Sequence, residues 1–475
     1  MGDEIESAIF KEGDFETYYH RLENETQLLE EKILSGEFSD QGCVAGFEVE
    51  AWLVDQNMRA SPSNEQFLEA FDDPMACPEL SRFNIELNNE PVNIEKDAFT
   101  RLQKGLEEVW FRTSAQAERM DLELLLIGIL PTIEKSQLHV KNMTRLNRYR
   151  ALNEQILRLR GEPIHLDIVG KEHLKYDHND VMLESAATSF QLHLQVPVEQ
   201  AHRYYNAAIV ASFATVAVST NSPFLFGKSL WEETRIPLFE QAVETGGYRG
   251  ASRGPLRRVS FGSGYARESI LECFQENLEH YPVLLPRLFD SHPDRFEYLR
   301  LHNGTIWRWN RPLVGFNENG TPHIRIEHRV IPAGPTVTDM IANAVFSYGL
   351  IENLYQEFPQ PAITFSQAKH NFYQAARHGI DARMIWSGES RTGLSNLLIN
   401  NLLPRAREGL QSLKIVSEDI DRYLDIIRER IESGRTGARW QRDFIEKHAG
   451  DFSRMTAVYL ENQKQGNPVH QWNIK

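Results

Sequence analysis

The most regular hydrophobic pattern in the chain spans residues 323–330, where polar and apolar side chains alternate. A period of two places successive side chains on opposite faces of a β-strand. The apolar face would carry Ile324, Ile326 and Val330, with His328 as its one polar member. The polar face would carry His323, Arg325, Glu327 and Arg329. Pro322 precedes the pattern and Pro332 follows it, so a strand bounded by residues that cannot pair is predicted.

Three further segments alternate in the same way, and their polar faces carry mainly carboxylates and amides. Residues 46–54 would present Glu48, Glu50 and Trp52. Residues 83–94 would present Glu86, Asn88 and Glu90, and residues 188–196 would present Ser189, Gln191, His193 and Gln195. A solvated face is the common explanation of one such strand, but surface strands usually include lysine and none of these polar faces does. Carboxylates on adjacent strands repel unless divalent cations lie among them, so the pattern predicts a metal site.

Apolar residues at helical spacing separate and follow these segments. We predict helices at residues 15–34, with Asp14 as the N-cap, and at 97–119, 199–219, 336–358, 365–378, 394–413, 418–433 and 440–459. The continuous apolar run at residues 122–130 ends at Pro131 and predicts a central buried strand.

The four polar strands are spread over residues 46–330, and one sheet must bring them together. We therefore predict an α+β fold with an antiparallel or mixed sheet, helices mostly on one face, and a carboxylate-lined basin on the other. No Pro/Ser-rich linker and no repeat divides the chain. We expect one catalytic domain over residues 1–475, with a sheet-containing core at about 40–340 and a helical C-terminal subdomain at about 341–475.

Composition and charge restrict the partners. The 475 residues carry a net charge of -16, which argues against nucleic acid or an anionic membrane as the main partner. The most apolar run, residues 207–218, is too short to span a bilayer, and the N-terminus is acidic where a secretory signal would be basic. Three widely separated cysteines, Cys43, Cys77 and Cys273, fit a reducing compartment. We expect a cytoplasmic protein.

Two basic segments are candidates for phosphate binding. Residues 142–161, together with Lys141, contain six arginines or lysines. A solvated helix face is the commoner explanation of such a run. Residues 246–264 combine glycines with arginines, including Arg253, and either cover a nucleotide as a lid or form a surface loop. The chain contains neither a P-loop motif nor a Gly-x-Gly-x-x-Gly motif, which excludes those two nucleotide-binding classes.

Five short motifs occur together in one order. They are Gly46-Phe-Glu-Val-Glu50, the Glu86-to-Glu90 segment, Gln191-Leu-His193, Ser219-Thr-Asn-Ser-Pro-Phe224 and Arg325-Ile-Glu-His-Arg329. In this order the chain resembles the glutamate–cysteine ligase family, ATP-dependent carboxylate–amine ligases that share a fold with glutamine synthetase. The helical segments Asn371 to Arg377 and Thr436 to Gln441 resemble a bacterial branch of that family.

The resemblance implies a ligase that activates a glutamate carboxylate with ATP, as an acyl phosphate, for attack by an amine such as that of cysteine. It implies Mg²⁺, with Mn²⁺ as an alternative, held by Glu48, Glu50, Glu86, Glu90, His193 and Glu327. Arg329, or else Arg325, would contact the transferring phosphoryl group, because a guanidinium matches its oxygens with two hydrogen bonds. Candidates for binding substrate or nucleotide are Gln191, Asn221, Ser222, Arg235 and Arg253.

Several points stay open at this stage. The second carboxylate strand leaves the choice of metal ligand among Glu86, Glu90 and Glu95, and Thr220 stands where the family commonly has Ala. The acceptor amine and the oligomeric state, including a homo-oligomer, are also open. A basin of carboxylates and histidine equally suits a metal-dependent hydrolase of an amide-type substrate, or a non-catalytic relative that binds an amino acid.

Overall fold

The main sheet is built from strands in the first two thirds of the chain. The computed structural model describes residues 4–245, 257–386, 388 and 391–474. Among them, the strands are β1 (Val44–Val54), β2 (Ala76–Pro78), β3 (Asn84–Asn88), β4 (Val92–Asn93), β5 (Glu123–Leu125), β6 (Ile164–Val169), β7 (His173–His178), β8 (Ser189–Val196), β9 (Phe224–Leu225), β10 (Lys228–Ser229), β11 (Val259–Ser260), β12 (Trp307–Arg308), β13 (Asn310–Phe316), β14 (Pro322–Pro332), β15 (Arg383–Ile385) and β16 (Arg391–Gly393).

Helices make up most of the remainder. Within the described ranges, the α-helices are α1 (Glu12–Leu34), α2 (Asn64–Phe71), α3 (Ala98–Arg119), α4 (Asn147–Arg160), α5 (Ala201–Ser219), α6 (Arg235–Ala242), α7 (Leu271–His280), α8 (Glu297–Gly304), α9 (Val337–Leu354), α10 (Phe365–His378), α11 (Leu394–Leu397), α12 (Leu403–Ser412), α13 (Ser417–Ser433), α14 (Gly437–Lys447) and α15 (Phe452–Gln465). None of these helices is both long enough and apolar enough to cross a membrane.

The four alternating segments are neighbours in one curled antiparallel sheet, which confirms the predicted fold class. The strand order is β13-β14-β8-β1-β3-β2, with β4 and β5 also paired to β1. In this register Glu327 of β14 lies opposite His193 of β8, and Glu50 of β1 lies opposite Glu86 of β3. A shared pleat therefore brings the predicted polar faces to one side of the sheet.

The apolar face of the sheet packs on two buried helices, α5 and α9. Both are buried along most of their length because their sequences are apolar on all sides. The hydroxyl of Tyr348 on α9 donates to the carbonyl oxygens of Gly46 and His193, at 3.0 and 3.1 Å. Arg430 of α13 pairs with Asp339 of α9 at 2.7 Å, both fully buried, and so fixes the C-terminal helices to the same layer.

The apolar run at 122–130 was predicted to be a central buried strand, and only its first part forms one. Only Glu123–Leu125 pairs, at the end of β1. The backbone N–H and carbonyl of the next residue, Leu126, form hydrogen bonds with side chains and not with a neighbouring strand. Its N–H donates to Gln463 at 3.0 Å, and its carbonyl accepts from Gln463 and Tyr459. Burial and apolar sequence therefore do not distinguish a strand from an extended segment that side chains hold in place.

Local boundaries differ from the predictions at three further places. Asp14 is not the N-cap of α1 but lies inside its first turn, where its carboxylate accepts the N–H of Lys11 at 2.7 Å. The predicted helix 440–459 is divided into α14 and α15, since Ala449 and Gly450 adopt positive φ values of 53° and 87°. The predicted helix 394–413 contains a π-helical turn at Leu398–Leu402.

Candidate active site

The polar face of the main sheet forms the floor of a cavity of about 310 Å³. Strands β1, β3, β8, β13 and β14 supply the floor, and α4, α8 and the segment 285–289 supply the walls. The polar side chains that line it are Glu48, Glu50, Glu79, Glu86, Arg148, Glu184, Gln191, His193, Arg287, Glu297, Arg300, Asn303, Arg311, Arg325, Glu327 and Arg329. Most of the residues predicted from alternation therefore meet in one place.

Three predicted ligands form a compact group at the centre of this cavity. Glu48, His193 and Glu327 each offer an atom, and these atoms lie within 4.8 Å of one another. His193 is 5% exposed, and its Nε2 lies 3.4 Å from the carboxylate of Glu48. Neither ring nitrogen makes a well-formed hydrogen bond to a described residue. A buried imidazole without such bonds, beside two carboxylates, is a donor set that fits a divalent cation.

Two arginines stabilise the ionised form of Glu327. Arg311 donates to both of its oxygens at 2.8 and 2.9 Å, and Arg329 Nη1 lies 3.2 Å from Oε2. Burial alone would raise the pKa of Glu327, but these guanidinium groups outweigh burial and hold it at about 2. Burial also opposes ionisation of Glu48, yet the neighbouring His193 brings the pKa of Glu48 below its usual range. Both carboxylates therefore carry negative charge at neutral pH.

Arg329 lies between the carboxylates of two strands. Its Nη1 also donates to the side-chain oxygen of Gln191, and Gln191 in turn donates to Glu50 at 3.0 Å. Glu50 further accepts the backbone N–H of Ser189 at 2.7 Å and the Ser189 hydroxyl at 2.8 Å. Gln191 thus links Arg329 to Glu50, and the guanidinium is held in one orientation at the cavity floor.

One end of the cavity concentrates carboxylates for which the described residues show no ion pair with an arginine. Glu79, Glu86 and Glu184 lie here with Glu50. Burial, and then the charge of Glu48, raises the pKa of Glu86 to about 7. Burial, and then Glu50, raises the pKa of Glu184 to about 8, and the pKa of Glu79 is raised well above its usual value for the same reasons. Mutual repulsion of this kind favours either protons or bound cations.

Sequence reasoning missed Glu79, Glu184 and Arg311. Glu79 follows the short strand β2, and Glu184 lies in a 3-10 helix at Val181–Ala186, so neither belongs to an alternating pattern. Arg311 lies on β13, directly opposite Glu327, but the β13 sequence does not alternate in polarity. The sequence offered no signal for Glu79 beyond its position seven residues before Glu86.

The opposite end of the cavity is basic. Arg325 faces it together with Arg287, Arg300 and Arg311. Burial lowers the pKa of Arg325, and its Nε has no hydrogen-bond partner among the described residues. The cavity therefore has an acidic end, a central group with both charges, and a basic end able to hold an anion.

Glu90 does not belong to the site, contrary to the prediction. Strand β3 ends at Asn88, and the chain turns so that the Asn89 side chain accepts the N–H of Phe47 at 2.7 Å. Glu90 is consequently exposed, as is Glu95, and neither lines the cavity. Among the three carboxylates left open by the sequence, only Glu86 lies in the cavity.

Three predicted binding residues have structural contacts instead. Asn221 is fully buried, and its amide donates to the Ala333 carbonyl at 2.7 Å and contacts Tyr459 at 2.8 Å. The Ser222 hydroxyl donates to Glu233. Arg235 lies behind β14, where it donates to the carbonyls of Val330 and Arg329 at 2.6 and 3.2 Å. None of the three lines the cavity. Arg253, and most of the proposed lid at 246–264, lie outside the described residues.

The arrangement suits the binding of phosphate groups together with divalent cations. It combines hard oxygen ligands and an imidazole for cations with a fixed guanidinium and a basic end for phosphate oxygens. A simple hydrolase needs the first part of this set but not the second.

Comparisons with known proteins agree with the geometry. The family model "Glutamate-cysteine ligase family 2" matches residues 44–458. No curated protein matches the chain. The structure is similar to glutamate–cysteine ligase from Francisella tularensis in complex with AMP, with a TM-score of 0.55 and 12% identity over 92% of this chain and 96% of that one. A bifunctional glutathione synthetase from Pasteurella multocida gives a TM-score of 0.48 and 13% identity over 92% of this chain and 55% of that one. Because the family model covers most of the sequence, the chain belongs to glutamate–cysteine ligase family 2.

Proposed function

We propose that this protein is an ATP-dependent carboxylate–amine ligase that joins the side-chain carboxylate of glutamate to an amino group, as a glutamate–cysteine ligase does. Family membership supports the reaction class. The observation that carries the proposal is the position of Arg329, which contacts Glu327 and Gln191 beside the group of Glu48 and His193. A hydrolase would have no phosphoryl group for this arginine to contact.

The residues present fit Mg²⁺. The donors are carboxylate oxygens and one buried imidazole that makes no well-formed hydrogen bond to a described residue. Glu48, His193 and Glu327 would hold one ion, and Glu50, Glu86, Glu79 and Glu184 offer ligands for others. When bound, Mg²⁺ supplies neutralisation of the phosphate charge, which is most of what phosphoryl transfer requires.

The protein's own residues then perform positioning. Arg329 would hold the transferring γ-phosphoryl group while the glutamate carboxylate oxygen attacks phosphorus, giving an acyl phosphate and ADP. Gln191 and Glu327 fix the guanidinium before the substrate arrives, so little reorganisation is needed in the transition state. The acceptor amine then attacks the acyl carbon, the C–N bond forms, and inorganic phosphate leaves. Arg325 at the basic end would bind phosphate oxygens closer to the nucleoside.

The test is an ADP-release assay with Mg²⁺, ATP and L-glutamate, across cysteine, other amino acids and polyamines as acceptors. ADP release that requires both glutamate and one acceptor, with formation of the amide by mass spectrometry, is the expected result. Amide hydrolysis without ATP would favour the hydrolase, and binding of glutamate without turnover would favour a non-catalytic relative. Glu327→Gln is the control, because a ligase must lose ADP release in this variant. The cytoplasmic location and a homo-oligomeric state stay predictions.

A further inference from the structure

A second cavity, of about 440 Å³, lies away from the candidate active site. Hairpin β6–β7, helix α6 and the C-terminal ends of α4 and α10 enclose it. Ile168, Val169 and Pro237 supply apolar surface, and the other described lining residues are Arg160, His165, Asp167, Trp231, Glu240, Gln241, Glu244, Arg257 and Arg377. Among the described residues, the linings of the two cavities share no member.

Glu240 presents an unused carboxylate oxygen. Its Oε1 accepts from the Trp309 indole N–H at 2.9 Å and from the Tyr373 hydroxyl at 2.7 Å. Its Oε2 accepts no hydrogen bond from any residue that the structure describes. Glu240 is half-buried, and its second oxygen is open to a donor that enters the cavity. The cavity beside Glu240 is where such a donor can enter.

Two arginines of the same cavity lack a carboxylate partner. Within the described part of the chain, Arg160 donates to the carbonyl oxygens of Pro163 and Glu244, at 2.9 and 2.8 Å. The Arg377 guanidinium lies 4.7 Å from the centre of the Trp231 ring. Neither forms an ion pair with a described residue, whereas Arg257 is paired with Glu244 at 3.1 Å. Among the described residues, the two arginines and one oxygen of Glu240 are therefore without an ionic partner in this cavity, whereas its other carboxylates, Asp167 and Glu244, are paired with His173 and Arg257.

We propose that this second cavity binds a small acidic amino acid, with its two carboxylates on Arg160 and Arg377 and its ammonium on Oε2 of Glu240. The charges match one for one, and Ile168, Val169 and Pro237 would cover the methylene groups. Guanidinium groups bind carboxylates with two hydrogen bonds, which gives preference over a single-charge ligand.

The cavity is connected to the candidate active site through Trp309. Oε1 of Glu240 holds the indole of Trp309, and the Trp309 carbonyl accepts the backbone N–H of Arg329 at 2.9 Å. The guanidinium of Arg235 lies 5.4 Å from the Trp309 ring centre and also binds the carbonyl of Arg329. A ligand bound to Glu240 therefore contacts the residue that holds the Trp309 indole. Trp309 in turn bonds to the backbone of Arg329.

The experiment is calorimetric titration of the full chain with L-glutamate and L-aspartate, without nucleotide. Glutarate lacks the ammonium and 4-aminobutyrate lacks one carboxylate, so both serve as ligand controls and should bind at least about tenfold more weakly. Glu240→Gln is the matched variant, since its amide oxygen still accepts from Trp309 and Tyr373. We expect it to weaken one class of acidic amino-acid sites by at least about tenfold. Glu327→Gln, in the first cavity, should leave that class of sites intact.

Exposed Arg377 provides a second variant that does not threaten folding, and Arg377→Ala should weaken the same sites. The proposal is overturned if the wild-type protein binds neither amino acid, or if Glu327→Gln removes all binding while Glu240→Gln removes none. Equal binding of glutarate and L-glutamate would also overturn it, because the ammonium would then have no partner. These measurements do not depend on ligase activity, so their failure leaves the proposed function untouched.

Discussion

Arg311 and Glu327 face each other on adjacent strands and share two hydrogen bonds, from Nε at 2.8 Å and from Nη2 at 2.9 Å. The pair lies at the cavity floor, with Glu327 2% exposed. A buried carboxylate needs such a partner, because an uncompensated charge in this position would be protonated or would destabilise the fold. Arg311 thus keeps Glu327 available as an anion.

Replacing Arg311 by Ala should lower the free energy of unfolding by about 3–5 kcal/mol, because Glu327 loses its main partner while staying buried. Glu327→Gln should cost less, since the Arg311 Nη1 still contacts the carbonyls of Asn303 and Ile306. The double variant should be more stable than the sum of the two single losses predicts. Urea unfolding of the four proteins measures this, and strictly additive losses would contradict it.

Mg²⁺ should raise the melting temperature of the protein, because it binds carboxylates that repel each other in its absence. An ion present at about 100 times its Kd stabilises the folded state by about 2.7 kcal/mol. Glu50→Gln and Glu327→Gln should reduce this shift and abolish turnover. Glu90→Gln is the matched control, because Glu90 is exposed outside the cavity. An equal Mg²⁺-induced shift in all four proteins, measured by calorimetry, would exclude the cluster as a metal site.

The acidic end of the cavity should make metal-free stability depend on pH. Burial, and then Glu50, raises the pKa of Glu184 to about 8. A carboxyl with a higher pKa in the folded state binds more protons when folded, so its contribution to stability is lost as pH rises towards 8. Glu184→Gln removes this titration. The melting temperature of the variant minus that of the wild type should therefore increase as the pH rises from 5 to 8.5.

The expected change across that interval is on the order of 2 kcal/mol, less than the full shift implies because water and ions enter the open cavity. The experiment compares wild type and Glu184→Gln in chelator, so that ionisable groups common to both proteins largely cancel. A difference that stays constant with pH would show that Glu184 is ionised without cost.

Successive side chains of a β-strand lie on opposite faces, so residues two apart share a face. For this reason, alternation was enough to place on one face Glu48, Glu50, Glu86, His193, Glu327 and Arg329. The same rule failed at Glu90, since parity has no meaning once the strand has ended at Asn88. It could not find Glu79 or Glu184, which reach the cavity from the irregular segment after β2 and from a 3-10 helix. Their placement depends on how the chain folds back, which no local pattern encodes.

Asn221 illustrates a different limit. Asn221 and Ser222 of the Asn-Ser-Pro-Phe motif were predicted to bind substrate or nucleotide, but Asn221 ties the C-terminal helices to the end of β14. Its Oδ1 accepts from Gln441 of α14 at 3.0 Å, and its backbone N–H donates to Glu233 at 2.9 Å. A Cβ at Gly437 would lie 2.2 Å from Oδ1, so glycine is required there. Distinctive residues can therefore mark a structural junction as readily as a binding site.

Asn221→Ala should consequently affect stability and not substrate affinity. It leaves several buried partners unsatisfied, and we expect a loss of about 2–4 kcal/mol in the free energy of unfolding. Tyr459→Phe, which removes the hydrogen bonds of the hydroxyl to Asn221 and to the Leu126 carbonyl, should cost about 1–2 kcal/mol. Denaturant unfolding and steady-state kinetics test both. A raised KM for ATP or glutamate in a folded Asn221→Ala protein would restore its role as a binding residue.

The last prediction concerns Arg329, whose guanidinium is held by Gln191 and Glu327 at the centre of the cavity. In a ligase this group acts mainly in the transition state, so Arg329→Ala should lower kcat on the order of 10³-fold with little change in ATP binding. Arg329→Lys should not restore the rate, because one ammonium cannot reproduce two parallel hydrogen bonds. Steady-state kinetics with ATP and glutamate varied separately, beside Arg325→Ala as the comparison variant, measure this. A preserved kcat with only a raised KM for glutamate would mean that Arg329 binds the amino acid. A larger loss of kcat in Arg325→Ala would transfer the phosphoryl contact to Arg325.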